Sequence, residues 1–234
     1  MPVDEPVSAV IPAYNEERHI PSVLDVLCQM EGLAQIIVVD DSSTDGTSDV
    51  VRSYSERDPR FHLLCQPINS GKGGAVVAGA NASNSDIILF LDADLVGLKV
   101  GHVHSLIEPV CAGSCDMAVG LFRQGRWWTD LSHELTPFLS GQRCLRWNLF
   151  RSAPALPQAR YGIEVALTLH AWRRRYRILP VPWYNVTHVT KYEKLGWIPA
   201  WCSYLCMYGE IIRYVGEHFS EDGASRPNKR ERKL

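Results

Sequence analysis

From Val7 to Gly120 the chain alternates short apolar runs with segments whose apolar residues recur at helical spacing. The runs are "VSAVIP" (7–12), "QIIVVD" (35–40), "FHLLC" (61–65), "DIILFLD" (86–92) and "DMAVG" (116–120). They are too short for buried helices, and the longer ones lack the polar alternation of a strand with one wet face. They read as strands covered on both sides. Between them, Ile20, Val23, Leu24, Leu27 and Met30 share one face of a helix over 20–30. Further helices are expected over 47–57, over the small-residue run 73–82, and over 103–111. This β-α-β-α order predicts an α/β, Rossmann-like fold: a mostly parallel sheet with helices on both faces. In such sheets, ligands collect beyond the carboxyl ends of the strands.

With 234 residues the chain can bury a substantial core as one domain over 1–219. A net charge of −2 gives no bulk attraction to nucleic acid, so an anionic ligand must be held by local groups. No apolar run reaches the roughly 18–20 residues of a membrane span. The acidic start "MPVDEPVSAVIP" lacks the basic and apolar regions of a signal peptide. The seven cysteines then read as reduced thiols of a cytoplasmic protein, and Cys111, Cys115, Cys202 and Cys206 as small buried hydrophobes.

Beyond residue 120 the pattern is less regular. A helix is expected over 164–176, and "YRILPVPWYNV" reads as an edge strand broken by Pro180 and Pro182. Ile198, Trp201, Leu205, Tyr208, Ile212 and Val215 mark a long amphipathic helix as a C-terminal extension. Its stripe, with Trp197, suits burial against the sheet, a second copy in a homodimer, or peripheral contact with a membrane. Residues 220–234 are polar and charged, and are expected to be disordered.

Polar residues recur where the strands end. Asn15 and Glu16 follow the first, Asp40 and Asp41 the second, and Lys72 lies in "NSGKGG" after the third. Asp92 and Asp94 close the fourth. Each has a bland reading alone: an acidic first helical turn, a capped turn, a surface loop. Their recurrence at one edge of a sheet favours a ligand. Asp40 or Asp41 can accept from a base N–H or ribose hydroxyls. Lys72 and the helix start behind it can offset phosphate charge, although the loop lacks the spacing of a Walker A motif. Asp92 and Asp94, at i and i+2, share a side if the chain stays extended. Their mutual repulsion is relieved by a divalent cation, which would bridge a diphosphate. His102, His104 and His133 read as surface histidines.

The ordered series "VIPAYNEE", "IIVVDDSSTDGT", "NSGKGGA" and "ILFLDADL" resembles the GT-A-fold nucleotide-sugar glycosyltransferases of the family 2 type, over residues 7–98. The resemblance implies a nucleotide-sugar-binding half over 7–120 and an acceptor-side half over 121–219. It implies a nucleoside pocket around Pro12, Ala13, Glu16 and Asp41, with Lys72 near the base or diphosphate. Asp92 and Asp94 would form the D-x-D motif, Asp94 being the more direct metal ligand.

In the second half, "GRWWTD", "LSGQRCL", "YGIEVAL" and "VTHVTKYEKLG" resemble segments of the retaining glucosyl-3-phosphoglycerate and mannosyl-3-phosphoglycerate synthases. By that resemblance His188 is a third metal ligand and Glu164 contacts the sugar. Leu139 to Gly141 lie beside the anomeric centre, and Arg126 and Thr129 bind an acceptor phosphate. Arg143 stands where those synthases are expected to carry less charge, and is added to the acceptor contacts. Imidazole beside carboxylate suits Mn²⁺ somewhat better than Mg²⁺. The implied activity is metal-dependent hexosyl transfer, with Asp94, Glu164, Leu139 and Lys72 at the chemistry. The donor is a nucleotide sugar, UDP-linked, and the acceptor a small phosphorylated molecule such as 3-phosphoglycerate. Retention is the expected outcome; inversion onto a hydroxyl would call on Asp130 or Glu164 as base. A polyprenyl-phosphate glycosyltransferase, such as dolichol-phosphate mannose synthase, is the alternative acceptor class. A non-catalytic nucleotide-sugar-binding protein is the alternative outside the enzymes.

Overall fold

The computed structural model describes residues 5–123, 140–153 and 162–188. Arg126, Thr129, Asp130, His133 and Leu139 fall outside these residues, as do the expected amphipathic helix over 198–215 and the tail. The elements run β1 (Val7–Ala13), α1 (Ile20–Cys28), β2 (Leu33–Asp40), α2 (Thr47–Ser55), β3 (Phe61–Cys65), α3 (Gly71–Ala82) and β4 (Ile87–Phe90). There follow β5 (Leu95–Val96), α4 (Val100–Cys111), β6 (Met117–Arg123), β7 (Arg143–Arg146), α5 (Trp147–Ser152), α6 (Ile163–Arg173), β8 (Ile178–Tyr184) and β9 (Thr187–His188).

Seven strands form one sheet in the order β3-β2-β1-β4-β7-β6-β8. Every neighbouring pair is parallel except the two made by β7, which runs antiparallel between β4 and β6. Strand alternation divides the core between the two faces. In β1, Val7, Ala9 and Ile11 face the layer that contains α1 and α4, while Val10 faces the layer of α3, α5 and α6. In β2, Ile36 and Val38 take the first side, Ile37 and Val39 the second. Both faces are dry, which is why these strands read as unbroken apolar runs. On α1, Ile20, Val23, Leu24 and Leu27 are all fully buried, each burial stabilising by about 2 kcal/mol. Pro21 sits in the first turn of that helix, where no backbone N–H is missed.

Two local expectations are corrected. β8 is not broken at its prolines: it pairs with β6 continuously from Ile178↔Met117 to Tyr184↔Arg123. It is the last strand of the sheet, and Pro180 and Pro182 are two positions apart, so the side of the backbone without N–H groups can face away from the ladder. β4 stops at Phe90, so Asp92 and Asp94 lie in the turn between β4 and β5 and not on an extended strand. Their convergence therefore does not come from strand alternation. Among the described residues no helix is long and apolar enough to cross a membrane. Of the cysteines read as small buried hydrophobes, Cys115 is buried and Cys111 half-buried, while Cys202 and Cys206 lie outside the described residues.

Candidate active site

The site is built on the carboxyl edge of β1, β2 and β4. Pro12 and Ala13 end β1, paired with Val39 and Asp40 of β2. The loops that follow are laced together. Glu16 N–H donates to Thr47 Oγ1 at 2.9 Å, and Asn15 Oδ1 accepts from Thr44 N–H at 2.8 Å. Glu16 Oε2 lies 3.0 Å from His19 Nδ1. Asp40 accepts from Ser43 N–H at 2.8 Å and from the Ser48 hydroxyl.

Asp41 is 3% exposed and bonded to the start of α3. Its Oδ1 accepts from Ser70 N–H at 2.8 Å and Ser70 Oγ at 2.9 Å, and its Oδ2 from Gly71 N–H at 2.8 Å. A carboxylate from the end of β2 thus satisfies orphan donors at the N-terminus of a helix and favours its dipole. The result fixes Lys72, the next residue, over the end of the sheet.

Lys72 Nζ bridges two carboxylates, 2.6 Å from Asp92 Oδ1 and 2.6 Å from Glu164 Oε1. Glu164 comes from the first turn of α6 and is buried. Burial opposes the ammonium charge, but Asp92 and then Glu164 outweigh it and raise the Lys72 pKa. Burial also acts to push Asp92 up; Lys72 and then His188 more than offset it, against the Asp94 charge, and hold the carboxyl below its ordinary value.

His188 arrives by a separate route. Asn185, at φ 59°, turns the chain after β8, and β9 then pairs antiparallel with β5, Leu95 opposite His188. Gly97 lies against the Asn185 carbonyl at φ 79°, a position and a conformation that exclude a side chain. The ribbon brings His188 Nδ1 to 3.2 Å from Asp94 Oδ1 and 3.8 Å from Asp92 Oδ2. Burial depresses the imidazole pKa, but the bond to Asp94 and the Asp92 charge raise it overall. Asp92, Asp94 and His188 each offer a ligand atom within 4.8 Å of the others. Two carboxylates and one imidazole around a shared space suit a hard or borderline divalent cation such as Mg²⁺ or Mn²⁺.

β7 completes the site because it runs antiparallel. Arg143 pairs with Phe90, so Ser140–Gln142 pass beside Leu91 and Asp92. A Cβ on Gly141 would stand 2.6 Å from Asp92 Oδ2 and 2.7 Å from Lys72 Nζ. Arg143, expected among the acceptor contacts, is turned inward instead and is 1% exposed. Its Nε donates to Ser140 O at 3.2 Å, Nη2 to the same carbonyl, and Nη1 to Glu164 O at 3.1 Å and Thr168 Oγ1 at 3.3 Å. Burial draws its pKa down to about 10, against the pull of Glu164 and Asp92. The physical reason is the helix over that face of the sheet: the guanidinium lies against α6, bonded to Glu164 and Thr168.

The structure therefore gathers Lys72, Asp92, Asp94, Glu164, His188 and Gly141, with Pro12 beside Lys72 in the lining of a cleft under the cluster. Gln142 was not anticipated. It is fully buried and bonds Asp92 twice, and a lone glutamine between glycine and arginine carries no signal in one sequence.

A mostly parallel sheet with an acidic, lysine-bridged centre at its carboxyl edge has the GT-A-like α/β architecture. The chain belongs to glycosyl transferase family 2, whose pattern matches residues 8–176. Glucosyl-3-phosphoglycerate synthase from Mycobacterium tuberculosis, in complex with Mn²⁺ and UDP-glucose, superposes with a TM-score of 0.67 and 25% identity, covering 82% of this chain and 74% of that one. An undecaprenyl-phosphate mannosyltransferase of Micrococcus luteus is 28% identical over 201 residues, 75% of this chain and 82% of that protein. A dolichyl-phosphate beta-glucosyltransferase of Trichomonas vaginalis is 39% identical over 97 residues, 38% of this chain and 30% of its own length. The chain thus spans less than a third of the length of the latter relative.

Proposed function

We infer that the protein transfers a sugar from a nucleotide-sugar donor, UDP-linked, to a phosphate-bearing acceptor. The observation that carries this reading is the meeting of Asp92, Asp94 and His188 within 4.8 Å beside Lys72. Asp94 and His188, with Asp92 behind them, would hold Mn²⁺ or Mg²⁺. When bound, the cation would supply charge stabilisation to the departing diphosphate. The chain's own residues do the rest. Lys72 adds a fixed positive charge at the start of α3, where Asp41 already takes up the Ser70 and Gly71 N–H groups. Pro12, Ala13, Glu16 and Asp41 frame the nucleoside side. Glu164, held by Lys72 across from Asp92, would contact the sugar, and Leu139 to Gly141 would lie beside the anomeric centre.

The acceptor is read first as a small phosphorylated molecule such as 3-phosphoglycerate, taken with retention of configuration. The likeness to glucosyl-3-phosphoglycerate synthase, in complex with phosphoglyceric acid as well as with Mn²⁺ and UDP-glucose, supports the acceptor class; retention rests on the sequence resemblance alone. Arg126 and Thr129, outside the described residues, would hold the acceptor phosphate; Arg143 is not assigned to it. A second reading has a polyprenyl phosphate as acceptor. It is favoured by the undecaprenyl-phosphate mannosyltransferase that aligns over 75% of the chain. A screen of nucleotide sugars against both acceptor classes, with NMR of the product's anomeric configuration, tests both. Absence of transfer from every UDP-sugar would overturn the donor assignment. Arg126→Ala should impair use of a phosphorylated acceptor and leave UDP affinity intact.

A further inference from the structure

We propose that Gln142 is a positioning residue for the metal-binding end of Asp92, and that its side-chain amide sets the affinity of the site for its cation. The inference rests on the metal reading of Asp92, Asp94 and His188 given above, and adds a residue to it.

Gln142 holds Asp92 at two points. Its Oε1 accepts from the Asp92 backbone N–H at 3.0 Å, and its Nε2 donates to Asp92 Oδ2 at 2.7 Å. The two ends of an amide suit this pair of bonds, since one accepts while the other donates. The backbone bond matters because Asp92 lies in a turn beyond the end of β4, where the sheet ladder no longer fixes the chain. The side-chain bond matters because Asp92 divides its carboxylate: Oδ1 goes to Lys72 at 2.6 Å, while Oδ2 is the oxygen nearer His188, at 3.8 Å. Gln142 therefore fixes the rotation of the carboxylate, so that Oδ2 faces the imidazole and Asp94.

Gln142 is itself immobile. It is fully buried, its carbonyl accepts from Gly120 N–H at 2.8 Å, and the next residue is anchored in β7. The neighbouring Ser140 hydroxyl donates to Gly120 O. The path from β6 through Gln142 to Asp92 is thus an unbroken series of hydrogen bonds from the interior of the sheet to the cluster. Groups that hydrogen-bond a metal-ligating carboxylate set its orientation, and losing one typically weakens metal affinity 10–100-fold.

The test compares Gln142→Met with wild type. Methionine keeps the length and apolar volume of the side chain but can make neither bond. Mn²⁺ affinity is measured by EPR of the free ion in the presence of UDP, with UDP binding by calorimetry alongside. Gln142→Met should bind Mn²⁺ at least 10-fold more weakly, and raising Mn²⁺ should restore wild-type UDP affinity. Urea unfolding in metal-free buffer shows beforehand that the variant is folded, since metal that binds the native state would also rescue a destabilised fold. Should Gln142→Met fail to fold, Gln142→Asn keeps the amide on a shorter stem that cannot span both bonds, and the same loss and rescue are expected. Mn²⁺ affinity equal to wild type in the folded variant overturns the role of Gln142 and leaves the metal reading standing. Wild-type protein that binds no Mn²⁺ overturns the metal reading, and the role of Gln142 with it.

Discussion

Asp94 and His188, 94 positions apart in the chain, are brought to 3.2 Å by a two-residue ribbon in which Leu95 stands opposite His188. The ribbon is the smaller of the two sheets among the described residues, yet it joins the turn after β4 to the segment that follows β8. A cluster assembled in this way is only as firm as that short ladder and the tight fit of Gly97 against Asn185.

If Asp94 and His188 are cation ligands, removing either should uncouple nucleotide binding from metal. Asp94→Ala and His188→Ala are each expected to weaken Mn²⁺-dependent UDP binding at least 10-fold, measured by calorimetry with and without Mn²⁺. Metal-dependent binding that survives both changes would remove the two residues from the metal site.

Lys72 has a structural duty that can be separated from any contact with the donor. Lys72→Met leaves Asp92 and Glu164, which now share its ammonium, facing one another in a largely buried space. Removing one partner of such a group costs about 3 kcal/mol. Urea unfolding in metal-free buffer should show a loss of that order. A variant as stable as wild type would mean that the two 2.6 Å contacts contribute nothing.

Much of this centre was legible in the sequence, and the rest was hidden for identifiable reasons. The parallel sheet could be read because both its faces are dry, which leaves continuous apolar runs such as "QIIVVD". Asp92, Asp94 and Lys72 stood out because each follows a strand or opens a helix, and family resemblance singled out His188 and Glu164. The reason Asp92 and Asp94 converge was not legible, because the turn after Phe90 breaks the alternation that a period of two assumes. β7 was missed because "RCLR" has neither apolar alternation nor a turn signal, and with it went the burial of Arg143 and the contacts of Gln142. An arginine that looks like an anion contact in sequence is, in the middle strand of three, a tie between Ser140 and Glu164.

Gly141 tests how closely the segment before β7 must approach the cluster. Any Cβ there meets the Asp92 carboxylate and the Lys72 ammonium at 2.6–2.7 Å. Gly141→Ala must therefore push Lys72 or Asp92 aside, at a cost of roughly 1–3 kcal/mol for an overpacked site. Transfer activity should fall at least 10-fold, since a displacement of about 1 Å from working geometry can cost about 100-fold. Steady-state kinetics beside thermal unfolding would separate the two effects, and unchanged kinetics would free the segment from the site.

His170 gives the fold a pH dependence of its own, apart from the Asp92–Asp94–His188 cluster. The imidazole is buried on α6, with Nε2 2.8 Å from Ser152 Oγ. Burial first, then Arg174 and Arg173, lower its pKa from the ordinary 6.5. Near neutral pH and above, both states carry it uncharged and it adds no pH dependence. As pH falls below the unfolded value, the unfolded chain takes up the proton more readily, so stability drops until pH passes the lowered folded value. His188, whose pKa is raised, acts in the opposite sense, so the His170 contribution must be isolated by difference. Urea unfolding of wild type and His170→Gln from pH 8 to pH 5 should give curves whose separation changes below pH 6.5, wild type losing more as acid is added. A constant separation through that window would mean that His170 titrates alike in both states, and that the burial beside Ser152 does not disfavour its charge.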